Sequence, residues 1–412
     1  MKKYFNTRKN ALVAMLLAML LVLGCMSGCA LFEPEIDYDV PQTEADIALA
    51  ERFDFAWLGD GYEITKCKVA EETIEIPSIY NGQPVISIGE RAFLSNRAVT
   101  SVTIPYSVKT IKEGAFSKCG RLASVTVPES VKVMEDKVFE ECIGLVEAKL
   151  PDSLTEVGAD IFSSCTALTD VELPKGLTAI SDRMFLQCTA LASLDIPKDV
   201  VSIGEQSFAW CEAMTEIKLP LGLASIGHGA FVGCHALTKA QLPDNLTAIG
   251  NNVFADCTAL TEVDFPKGIT AIPPYLFCGC TALTSIEIPD TVTTIGEFAF
   301  DSCGLKSVTI PDSVTVIGDN AFSACWELDS IELPNSITSI GKNAFSACGM
   351  KTITIPESVE SIGQDAFSWC YITVTAPHDA AYYSYTLKNV DEFGNKPNSS
   401  VRWKVVEPAD AD

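Results

Sequence analysis

Apolar residues return along most of this chain at fixed phase, with a period much longer than that of one helix or one strand. Prolines mark it: Pro105, Pro128, Pro151, Pro174, Pro197, Pro220, Pro243, Pro266 and Pro289 are 23 residues apart. Pro311, Pro334, Pro356 and Pro377 continue at spacings of 22, 23, 22 and 21. A phenylalanine and then a cysteine follow each proline at constant offset, from Phe116 and Cys119 to Phe367 and Cys370. The unit that opens at Pro289 shows the logic. The stretch before it, residues 285–288, alternates and ends in β-branched side chains, which predicts a strand. Pro289 ends that strand because it has no donor for a ladder. Residues 292–295 read as a second short extended piece, Gly296 as a turn, and residues 297–302 as about one helical turn. A single unit cannot bury so many apolar groups. Consecutive units must therefore stack into one continuous core.

These residues resemble a known family. The order Ile-Pro, Val, Ile-Gly, Ala-Phe, Cys, Leu, Ile, repeated from Pro77 to Ala376, is similar to the BspA-like leucine-rich-repeat surface proteins. The resemblance implies a leucine-rich-repeat solenoid, mainly β with short helical turns: thirteen stacked units of 22–23 residues between N- and C-terminal caps. Residues 51–76 fit the opening cap strands, 77–376 the solenoid, and 377–412 the closing cap, with a helix over 380–387 and a last strand over 401–406. Some units depart from the pattern. Lys112, Glu135, Ser181 and Pro273 stand where the turn glycine is expected, and Val138 and Ile161 replace the usual alanine. The first unit carries extra residues around Tyr80-Asn81-Gly82. For function the resemblance implies surface display and adhesive or protein-binding roles.

The N-terminus changes the picture by adding an address. Lys2, Lys3, Arg8 and Lys9 precede an apolar run over residues 11–23, too short for a comfortable transmembrane helix and suited to an export signal. Val22-Leu23-Gly24-Cys25 and Met26-Ser27-Gly28-Cys29 both resemble bacterial lipoboxes. Cys29 is the preferred lipidation site and Cys25 the alternative. Residues 1–28 then form the signal peptide, and the acidic residues 29–50 a tether. The expectation is an exported chain, lipid-anchored to the bacterial membrane and exposed at the cell surface. Formal net charge is −25, and removing the signal takes it to about −29. Such a chain is no ligand for nucleic acid, and it meets a membrane only through its lipid.

Sixteen cysteines in an exported chain suggest disulfides, but twelve share one phase among apolar positions. Equivalent residues of stacked coils lie about 5 Å apart, with parallel side chains that make a disulfide torsion awkward. They read as small buried hydrophobes. A linear column does not converge on a point, so no metal site is expected. Cys67 and Cys278 lie outside the column as more accessible thiols. The histidines are His228, His235 and His378; a thiol–imidazole pair near Cys234 would need that thiol exposed. No metalloprotease, nucleophile-elbow, phosphate-loop or dinucleotide motif occurs, so neither catalysis nor a cofactor is expected.

The informative surface is the pre-proline strand face, where residues between buried ones point outward. This picks Lys149, Asp170, Glu172, Asp195, Glu216, Lys218, Glu262, Asp264, Glu287 and Glu332 as a mostly acidic candidate face for a macromolecular partner. A protein on a host or neighbouring cell is the expected ligand, through adhesion or protein–protein contact. The competing reading is a scaffold or substrate-capturing accessory of a surface enzyme system, with a glycan as ligand. Exposure of Trp210, Trp326 and Trp369, which stand beside column cysteines, would favour sugar capture.

Overall fold

A computed structural model describes residues 42–377 and 401–406. The signal, both candidate lipidation cysteines, His378 and the expected helix over 380–387 lie outside the described residues. So does most of the expected tether, but its end does not. Residues Glu44–Arg52 form a helix with a capping box: the Thr43 hydroxyl accepts from the Asp46 N–H, and Asp46 accepts from the Thr43 backbone. Asp46 also accepts from the Asn81 N–H (2.9 Å), which ties this helix to the first coil. The tether as expected to residue 50 is therefore shortened by an ordered, packed segment.

The cap strands follow. Phe53–Trp57 pairs antiparallel with Tyr62–Cys67, which pairs parallel with Gln83–Ile88. The extra residues of the first unit make a hairpin between Ile79–Tyr80 and Gln83–Ile88. Asn81 and Gly82 both have positive φ there, as a two-residue hairpin turn requires.

From here the chain is a β-solenoid in which each coil presents three edges to the next. One is the pre-proline strand, such as Ser330–Glu332, which pairs parallel with Ser307–Thr309. A second is a two-residue ladder: Thr294–Ile295, Val316–Ile317, Ser339–Ile340 and Ser361–Ile362 pair in sequence. The third departs from expectation. Residues 297–302 and their equivalents run as linked turns, and Glu44–Arg52 is the only helix among the described residues. Hydrogen bonding alternates along this edge. In the coil after Pro105, the N–H groups of Gly114, Phe116 and Lys118 donate to carbonyls of the next coil (2.8–2.9 Å). Those of Ala115, Ser117 and Cys119 close local turns. The pattern needs two left-handed residues per coil, such as Tyr275 and Gly279 or Asp365 and Trp369. Most of these positions are not glycine, at a cost of about 1–2 kcal/mol each. The inter-coil bonds, made at both neighbours, offset that strain, which a helix ending in the same place would not need.

The glycine after the second ladder was expected to serve a turn. Its role is different: a Cβ on Gly250 would lie 2.6 Å from the His228 backbone nitrogen, and on Gly204 2.7 Å from that of Asp182. Glycine is there because backbones of adjacent coils touch. Where another residue stands, its side chain makes a use of the space. Lys112 reaches the Glu63 carboxylate (2.6 Å), and the Ser181 hydroxyl donates to the Gly158 carbonyl (2.7 Å). The Glu135 carboxylate accepts from the Glu113 N–H of the coil before (3.0 Å), at the edge of a shallow groove of about 430 Å³ also lined by Glu113, Asp136 and Glu156.

The core is a set of stacked columns. Phenylalanine rings from Phe93 to Phe367 lie face to face, with centroids 4.8 Å (Phe93–Phe116) to 5.9 Å (Phe254–Phe277) apart. That spacing is set by the coil repeat, since inter-strand distance is ~4.8 Å. Leucine, cysteine and the ladder isoleucines complete the buried cluster.

Candidate functional site

The cysteine column is structural. In all twelve coils from Cys119 to Cys370 the thiol donates to the carbonyl of the phenylalanine one coil back, as in Cys234 to Phe208 (3.2 Å) and Cys348 to Phe322 (3.1 Å). In the coils between the ends of the column the same carbonyl also accepts the N–H of its own coil's cysteine, as when Cys211 N–H donates to Phe208. Each cysteine thus occupies a second lone pair of a buried carbonyl, which an aliphatic residue could not do. Burial holds the thiols protonated: Cys165 and Cys234 are pushed up to about 12. None of the fourteen cysteines among the described residues is in a disulfide. Cys67 and Cys278 are half-buried. Burial, and then the neighbouring charges of Asp301 and Asp256, raise Cys278 to about 12. Access rather than acidity separates these two from the column, so a thiol reagent at neutral pH should label Cys67 and Cys278 before any column thiol. Mass mapping that finds native column cysteines modified would contradict this assignment.

No catalytic constellation forms around the histidines. His228 Nδ1 accepts from the Asn251 N–H (3.0 Å), and His235 packs edge-on to Trp210. The Cys234 thiol is fully buried and already bonded to a carbonyl. The Thr293 hydroxyl donates to the Thr270 carbonyl (3.1 Å), a ladder contact between coils. Among the described residues no group of His, Cys, Asp or Glu could hold a metal ion.

All ten residues of the candidate partner-binding face are exposed. Lys149, Asp170, Glu172, Glu262, Asp264 and Glu332 lie on paired strands. Asp195, Glu216 and Lys218 do not: residues 191–197 and 214–220 carry no strand pairing, and Glu287 makes only an isolated bridge to Thr309. The expected continuous sheet is interrupted there. The interruption is tolerated because the other two edges stay bonded, through Ser202–Ile203 to Ser225–Ile226 and through Phe208 N–H to the Ala230 carbonyl. Part of the acidic character is internally compensated. Lys149 pairs with Glu172 (2.6 Å), and Lys239 with Glu262 (2.5 Å) and Asp264 (3.6 Å). Asp170, Asp195, Glu287 and Glu332 make no ion pair among the described residues. The aromatic side chains at the turn edge, on which the sequence left sugar capture open, are exposed: Trp326 by 68%, Trp369 by 72% and the neighbouring Tyr371 by 88%.

No helix among the described residues is long and apolar enough to cross a membrane. No curated protein matches the sequence. Several solved structures are similar. A leucine-rich repeat protein from Bacteroides ovatus matches at 25% identity over 86% of this chain and 97% of its own, with a TM-score of 0.68. One from Eubacterium ventriosum matches at 25% over 70% and 88%, with a TM-score of 0.50. A leucine rich cell surface protein from Faecalibacterium prausnitzii matches at 28% over 76% and 93%, with a TM-score of 0.45. The family model of the BspA type leucine rich repeat region matches residues 68–192, 178–278 and 249–373. With its core columns, its coil length and three-quarters of its residues matched in this way, the chain belongs to the BspA-type leucine-rich-repeat family.

Proposed function

We propose that this chain is a cell-surface binding lipoprotein, acting by recognition rather than catalysis, with a protein as its partner. The observation that carries the reading is the row of exposed carboxylates, several without an internal cation, repeated over successive coils. Thirteen coils at ~4.8 Å make a face ~60 Å long, enough for a standard protein interface. Uncompensated carboxylates raise the encounter rate with a basic partner and give it register, more than they add affinity. Reversing charge at Asp195, Asp264 and Glu287 should slow association several-fold and flatten its salt dependence. The folding transition should not move, because these side chains are outside the core. The matching reversal at Glu205 and Asp256, beside the phenylalanine column, serves as control. Loss of binding in the control alone would place recognition on the other side.

Display at the surface rests on the lipid anchor at Cys29, or at Cys25. Full-length protein made in a bacterium should incorporate labelled fatty acid, and Cys29→Ala should abolish it. Loss with Cys25→Ala alone would move the site, and an unlabelled wild type would end the lipoprotein reading.

A further inference from the structure

One corner of the solenoid breaks the repeat in a way the acidic face does not explain. Most coils turn from the column cysteine to the next leucine through two residues, as in Cys280-Thr281-Ala282-Leu283. Three of the last four coils use one: Cys303-Gly304-Leu305, Cys348-Gly349-Met350 and Cys370-Tyr371-Ile372. Cys325-Trp326-Glu327-Leu328 keeps two, between the glycine coils. The Trp326 corner is therefore one residue longer than the corner on either side. The shortened corners are recessed against their neighbours: a Cβ on Gly349 would lie 2.4 Å from the Trp326 carbonyl oxygen, and on Gly304 2.1 Å from that of Thr281. Neither flanking glycine offers a side chain to cover the indole, and Trp326 is 68% exposed. Two coils from Trp326, at the equivalent position and so about 10 Å away, stands Tyr371, also uncovered. Trp369 lies beside it, at the position that Ala324 and Ala347 fill in the two preceding coils.

We propose that this corner is a sugar-binding platform, on which a pyranose ring of a neutral glycan chain sits over the Gly349 recess between Trp326 and Tyr371. The apolar surface comes as separate rings with a glycine step between them and with charged neighbours, Glu327 on one side and Lys351 on the other. A protein interface of standard size needs about 800 Å² per partner around a contiguous dry centre, and a recess one coil wide supplies none. A pyranose ring matches it: its C–H face stacks on an aromatic ring, while hydroxyls at its rim donate to Glu327 and accept from Lys351 and the Trp326 indole N–H, which has no partner among the described residues. The interval of two coils is close to the rise of two sugar units in an extended chain, so the first and third of three consecutive rings would meet Trp326 and Tyr371, with the second over the Gly349 recess. Charges of both signs at the corner give no preference for an anionic polymer. The site stands independently of the acidic-face reading and can fail without it.

The test is titration calorimetry of the full chain with cellohexaose, xylohexaose and mannohexaose, with decaproline as a competing ring-bearing ligand. At least one oligosaccharide should bind saturably. Trp326→Ala should weaken it at least tenfold and Tyr371→Ala several-fold. Trp210→Ala, five coils away, should leave it intact, and thermal unfolding should be unchanged in all three. Failure of all three sugars to bind, binding that survives Trp326→Ala, or decaproline binding in their place would overturn the proposal.

Discussion

Between pH 9 and about 12 the solenoid is expected to lose stability steeply, in proportion to the number of column thiols that unfold together. Burial pushes Cys119, Cys165, Cys234 and Cys325 up to about 12, and Cys142, Cys188, Cys211, Cys257, Cys280 and Cys303 well above the ordinary 9.0. The folded values are the raised ones. Each thiol's contribution is therefore complete below pH 9 and disappears as pH climbs towards its folded value. Within that window a thiol protonated only in the folded state costs ~1.4 kcal/mol per pH unit. Five coils unfolding as one unit would lose ~7 kcal/mol between about pH 10 and 11. Urea unfolding followed by circular dichroism, under reductant, gives the slope. Replacing Cys211, Cys234 and Cys257 together by Ala should reduce it by ~4 kcal/mol per pH unit. An unchanged slope in that triple variant would mean that lysine and tyrosine titration, not the thiols, drives alkaline unfolding.

Truncating the middle of the ring column should have the largest effect of any single substitution. Phe254 is fully buried, with rings 5.6 and 5.9 Å away on its two sides. Phe254→Ala is expected to cost ~3–5 kcal/mol, as a lost aromatic and an unfilled cavity do in other cores. A stacked array adds a second consequence. Each coil contacts only its neighbours, so stability is close to a sum of coil and interface terms. A lesion at one interface should split a single transition into two, with coils before and after Phe254 melting separately in calorimetry and in hydrogen exchange. A single sharp transition displaced by under ~1 kcal/mol would show that cooperativity does not pass through this column.

The coil length, the buried columns and the two ladders were legible in the sequence, because burial imposes a strict period and thirteen repeats average out local noise. Gly250 was legible as the usual residue of the pattern at its position but not for its reason: a close approach between coils depends on the stacking distance, which no single unit encodes. The turn edge was misjudged for a related cause. Adjacent Ala and Phe suggest a helical turn, yet the N–H of Phe300 is taken by the Ala321 carbonyl of the next coil (2.8 Å). Only the neighbour makes left-handed residues such as Phe298 tolerable. In the candidate site, period-two alternation correctly exposed Glu172 and Asp264, but it could not foresee that the tracts holding Asp195 and Glu216 form no paired strands. The Cys234 thiol was legible as buried, not as a donor to Phe208, since that carbonyl belongs to the coil before. In Cys234→Ser the hydroxyl would find the same acceptor, so the substitution should cost only about 1 kcal/mol.

Site-specific photo-crosslinking tests recognition through the acidic face most directly, because it captures a partner whose identity is still open. A photoreactive residue is placed at Gln241, exposed on the strand Lys239–Gln241, or at Asp256, exposed beside Phe254. The full chain is then irradiated with host-surface protein extracts. The prediction is a discrete protein adduct from Gln241 that fades as salt rises, with none from Asp256. Adducts from Asp256 alone, or equal adducts from both positions that do not respond to salt, would contradict it.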